Sequence, residues 1–145
     1  MSIIIKFTRV EDPDFSPFDL GNIDIAKNTT RFSSDEEGRH AMILFVSISD
    51  FIHGLLSCYK GKKRVEFVGA DSSFSIIFLR KDKGIQLIRK KETIECSWRE
   101  IFESTISGIN NAIKINESKI DWNHAVFSDL NDAKIELEKT LRELR

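Results

Sequence analysis

Apolar positions recur along the chain with two different periods, and the points where the period changes mark its elements. Residues 2–10, SIIIKFTRV, are dominated by β-branched and apolar side chains and predict a first strand. EDPDFSPFDLGN follows, where two prolines and four acids predict a turn or loop. IDIAK (23–27) alternates and predicts a short strand, and NTTRFSSDEEGR (28–39) is polar enough to predict an exposed loop. HAMILFVSI (40–48) is almost continuously apolar, the pattern of a strand buried on both faces. Ser47 or Ser49 would then cap a helix over 50–61. There Phe51, Ile52, Leu55, Leu56 and Tyr59 form one stripe and Gly61 provides the stop.

The second half alternates more cleanly. KRVEFVG (63–69) sets Val65 and Phe67 on one face, and SSFSIIFLRK (72–81) does the same with Phe74, Ile76 and Phe78. KDKG, ending at Gly84, predicts a short hairpin loop into IQLIRKK (85–91), and ETIEC (92–96) extends that strand or adds another. SWRE (97–100) is a capping box. Behind it Trp98, Ile101, Phe102, Thr105, Ile106, Ile109 and Ile113 hold the helical period over about 97–114. Residues 115–123 predict a loop. A last helix over roughly 124–144 places Phe127, Leu130, Leu137, Leu141 and Leu144 on one face. The element order predicts one α+β domain, 1–145, with a mostly antiparallel sheet of about five to six strands and three helices packed mainly on one face.

Composition narrows the class. The chain has 145 residues, 41% hydrophobic and 31% charged, with eleven Phe and one Tyr. That profile is globular, with aromatics used as core filling. No apolar run approaches a bilayer span, and the first ten residues lack the pattern of a secretory signal, so a cytoplasmic protein with no membrane partner is expected. Cys58 and Cys96, 38 residues apart, are then expected to be buried and reduced. The net charge of −1 is unevenly distributed: residues 1–50 sum to −4, 51–91 to +7 and 92–145 to −4. Such blocks either neutralise one another in the fold or mark interaction surfaces.

Motifs for chemistry are sparse. His40, His53 and His124 lie in three different elements. There is no C-x-x-C, no H-E-x-x-H, no G-x-S-x-G and no phosphate-cradling glycine loop. DSS at 71–73 reads as a turn rather than a nucleophile. No catalytic residue, metal or cofactor is assigned, and the chain is not expected to be an enzyme.

Two charged groups remain. The acidic set is Asp12, Asp14, Asp19, Asp24, Asp35, Glu36 and Glu37, in segments that would meet a basic protein partner. The basic set is Lys62, Lys63, Arg64, Arg80, Lys81, Lys83, Arg89, Lys90 and Lys91, the alternative surface, for nucleic acid or regulation. Because Phe74 and Phe78 share a face with Ile76 on what reads as a central strand, and the pI is near 6.3, a core sheet with a charged rim is the reading favoured over a nucleic-acid platform. An unpaired edge strand, 2–10 or 85–91, would be open to a partner's sheet or to a second copy of the chain.

Over roughly residues 18–115, DEEGRHAMILFVSISDFIHGLL, FVGADSSFSIIFLRKDKGIQLI and SWREIFESTISGINNAI resemble small bacterial proteins encoded beside polymorphic toxins, the immunity proteins of contact-dependent inhibition systems. The resemblance implies a cytoplasmic protein that binds one cognate toxin domain and blocks its active site or substrate groove. It carries over no site residue.

Overall fold

Two four-stranded antiparallel sheets pack on one central helix in the computed structural model, which describes residues 2–10, 13–35 and 41–144. The first sheet holds β1 (Ile4–Arg9), β2 (Leu20–Lys27) and β3 (Thr30–Ser33), with β4 (Met42–Ile43) also pairing with β2. Then come helix α1 (Leu44–Tyr59) and the second sheet, ordered β5 (Arg64–Val68), β6 (Ser75–Lys81), β7 (Gly84–Arg89) and β8 (Glu92–Ser97). Helix α2 (Trp98–Asn116) and helix α3 (Ala125–Glu143), joined by a 3-10 turn, complete the chain. The α+β class, the antiparallel pairing and the three helices are as the sequence predicts; the strands divide between two sheets. Among the described residues, no helix is long and apolar enough to cross a membrane.

The main departure from the sequence pattern is at 40–48. That run is not a strand buried on both faces. Of its described residues only Met42 and Ile43 pair as a strand, and the helix begins at Leu44. In this first stretch of the helix the one half-exposed position, Val46, is itself apolar, so the sequence mimics a buried strand. Leu44, Phe45, Ile48, Phe51, Ile52, Leu55, Leu56 and Cys58 are all buried. The two serines expected to cap the helix lie inside it: Ser47 Oγ accepts the Ala70 amide at 2.9 Å, and Ser49 Oγ donates to the Phe45 carbonyl. The polar stretch 28–39 is likewise not all loop, since Thr30–Ser33 pairs with β2 and buries Phe32.

Elsewhere local chemistry sets local structure as expected. Ser97 Oγ accepts the Glu100 amide at 3.1 Å and Glu100 reaches back to the Ser97 amide, starting α2. The DSS segment is a turn: Asp71 takes a positive φ of 56° and Ser72 Oγ accepts the Phe74 amide. Gly84 is required where β7 meets β8, because a Cβ there would stand 2.2 Å from the Cys96 carbonyl oxygen. The inner rows of both sheets meet α1. Phe51 packs edge-on against Phe7, Phe67 and Phe78, so one helix residue ties the two sheets together.

Candidate functional site

Of the acids chosen from the sequence, four lie among the described residues, and the fold uses them differently. Asp19 belongs to the fold. Its carboxylate takes the Arg9 guanidinium at 3.0 Å and the Ser16 amide at 2.8 Å, with the two ion-paired side chains only 12% and 13% exposed. Its carbonyl accepts the Leu44 amide and so receives the start of α1. Arg9 also donates to Asn116 Oδ1 and lies over the Phe15 ring, which stacks on Phe127. The segment read as a solvated acidic loop is therefore anchored in the core. Asp24 sits on the outer face of the first sheet, paired with Arg31 at 2.6 Å. Asp14 and Asp35 are exposed, and Asp12, Glu36 and Glu37 lie outside the described residues.

A denser acidic surface lies elsewhere. Asp50 and His53 on α1 face Asp129, Asp132 and Glu136 on α3 across a groove of about 370 Å³. The spacing i, i+3, i+7 on α3 places its three carboxylates on one helix face, which is the signal in the sequence that points to them. Partial burial raises the Asp50 pKa against the opposing pull of His53. Glu136 is held below its usual range by its ion pair with Lys60 at 2.5 Å. The groove thus presents four carboxylates from two helices, one of them already answered by lysine.

The basic set divides between the two ends of the second sheet. Arg80 donates its amide to the Lys63 carbonyl, and Lys81 pairs with Gly84 across the hairpin. This brings Lys62, Lys63 and Arg64 beside Arg80, Lys81 and Lys83, with Asp82 as the one acid of the hairpin turn. All six cations are exposed, and among the described residues none makes an ion pair. Arg89, Lys90 and Lys91 stand at the opposite end, where Arg89 lies 4.5 Å over the Phe74 ring. Phe74 and Phe78 are fully buried, so the aromatics of this sheet offer no stacking surface to bases.

Among the described residues, no group of three or more His, Cys, Asp or Glu side chains is arranged to hold a metal ion. Cys58 and Cys96 are buried free thiols. Burial and the neighbouring Glu100 carboxylate push Cys96 up to about 12, and burial raises Cys58 against the opposing pull of Arg80. His124 accepts the Val126 amide on Nδ1 and caps α3. His53 lines the acidic groove and is exposed. Comparison with protein-family models, with curated proteins and with solved structures finds no match for this chain.

Proposed function

We propose that this chain is an immunity-type binding protein that neutralises a cognate toxin domain by contact and acts without catalysis of its own. The observation that carries the reading is the acidic groove between α1 and α3. Four carboxylates on two rigid helices make a preorganised surface for a basic partner, and such complementarity raises the encounter rate and excludes wrong partners. A nuclease-like toxin domain, basic where it holds its substrate, fits that chemistry. The resemblance of the 18–115 stretch to immunity proteins points the same way. The groove replaces the loop acids as the proposed contact surface, because Asp19 is occupied within the fold.

The test is calorimetry with the C-terminal domain of the protein encoded immediately upstream. Tight one-to-one binding is expected. Asp50→Asn, Asp129→Asn and Asp132→Asn together should weaken it by a hundredfold or so, about 3 kcal/mol. Binding that ignores all three substitutions would remove the groove from the proposal, and no binding at micromolar concentration would remove the function. The second reading, a nucleic-acid module, is favoured by the six unpaired cations at one end of the second sheet. It requires affinity for generic duplex that falls linearly in log–log form with salt.

A further inference from the structure

The second sheet has an open edge, and its hydrogen-bond register shows which backbone groups are free. Arg80 donates to the Lys63 carbonyl and Gly69 donates to the Phe74 carbonyl. In an antiparallel ladder the hydrogen-bonded pairs alternate. Residues 63, 65, 67 and 69 therefore bond to β6, while Arg64, Glu66 and Val68 turn their N–H and C=O groups away from the sheet. None of these outward groups has a backbone partner among the described residues, and the three side chains are exposed.

Two other edges are partly covered. On β1 the outward carbonyl of Ile3 accepts Ser104 Oγ at 2.7 Å, and α2 comes so close that a Cβ on Gly108 would stand 2.6 Å from the Ile5 carbonyl oxygen. On β8 the Glu95 carbonyl accepts the Lys27 ammonium at 2.7 Å. The segment 85–91 forms an interior strand between β6 and β8. Beyond β5, the Ala70 carbonyl is taken by the Ile43 amide, so the open stretch ends there.

We infer that the open β5 edge pairs with the same edge of a second copy of this chain, in the antiparallel register that sets Arg64 opposite Glu66 of the second copy. Charge selects this register. Shifting by one pairing step in one direction sets Glu66 opposite Glu66, and in the other sets Arg64 opposite Arg64; like charges directly opposite are unfavourable. In the chosen register two Arg–Glu pairs form on the outer face. Val65, half-buried, meets Val65 of the second copy on the inner face. The stem of Lys62 of the second copy lies over Val68, an apolar side chain left 46% exposed in the single chain. The two facing pairs add about four main-chain hydrogen bonds and join the two four-stranded sheets into one.

The experiment is sedimentation equilibrium on the full chain and on charge-swapped variants, with circular dichroism to confirm folding. The chain should be dimeric at about 100 µM, and Arg64→Glu or Glu66→Arg alone should weaken the dimer roughly tenfold or more, by placing like charges opposite one another. Arg64→Glu with Glu66→Arg in one chain should restore it. So should mixing the two single variants, since each supplies the charges the other lacks. Glu66→Pro removes an outward N–H without touching the ladder to β6 and should leave a folded monomer. A monomeric wild-type chain at that concentration overturns the inference. So does a dimer unaffected by the single swaps, or a double swap no tighter than either single.

Discussion

Two regions rich in charge look equivalent along the chain and are opposites in the fold. The 11–24 segment holds four aspartates and a glutamate with no lysine or arginine, and the 60–83 region holds seven lysines and arginines against three acids. In the first, Asp19 is answered by Arg9, Ser16 and the start of α1, and the loop is pinned by Phe15 between Phe45 and Phe127. In the second, Lys60 pairs with Glu136, while the other six cations project from the end of a sheet with no ion pair among the described residues. A charge count is an inventory; the fold decides which charges it uses internally and which remain for a partner. Desolvation makes the difference energetic. A paired charge near 12% exposure cannot lose its partner cheaply, whereas a solvated lysine can be removed with little consequence.

The largest effect that probes this contrast is at Asp19. Asp19→Ala removes the carboxylate that a nearly buried Arg9 and the Ser16 amide share and should cost about 3 kcal/mol in urea denaturation. If Asp19 instead served a partner, the variant would keep its midpoint and lose only binding. Next comes Gly108, where α2 seals the β1 edge. Gly108→Ala drives a methyl into the Ile5 carbonyl and should cost about 1 to 3 kcal/mol, read by the same melt. At the basic end, Lys62→Ala with Lys63→Ala should move stability by no more than about 0.5 kcal/mol. Added salt should stabilise the wild-type chain more than this double variant, because it screens repulsion that the variant has already relieved.

Much of the fold was legible, and each miss has its own cause. The capping box at Ser97 and Glu100 and the alternation of β5 through β8 are local codes, satisfied by nearest neighbours, and they survive into the structure. The 40–48 run misled because the outward position of this stretch, Val46, is apolar, so the start of a helix and a core strand share one pattern. Thr30–Ser33 failed because only Phe32 of its four side chains is buried, too few to show a strand period. The groove was hidden for a different reason. Asp50 and Asp129 are 79 positions apart, and only the packing of α3 on α1 makes them neighbours. The helical spacing of Asp129, Asp132 and Glu136 was visible, but nothing in the sequence says which helix they face.

The smallest effect concerns the protonation of two carboxylates that the fold treats in opposite ways. Glu100 is held below 4.5 by the Ser97 amide and Lys27, so the folded state favours its ionised form. Its contribution is present above that pH and lost as pH falls through the lowered value. Asp50 is raised above 3.8 by partial burial, so the folded state favours its neutral form. Its ionised form is a penalty that is complete above the raised value and vanishes below the unfolded one. Asp50→Asn should therefore raise the melting temperature slightly at neutral pH, and the gain should disappear as pH is brought below about 4, whereas Glu100→Gln should lower the melting temperature at neutral pH and converge on wild type in acid. Thermal melts from pH 3 to 7, followed by circular dichroism, separate the two slopes. A neutral-pH gain from Asp50→Asn combined with weaker partner binding would mark Asp50 as a charge kept for contact at the expense of the fold. A loss of stability from the same substitution would place Asp50 with Asp19, among the charges the fold uses for itself.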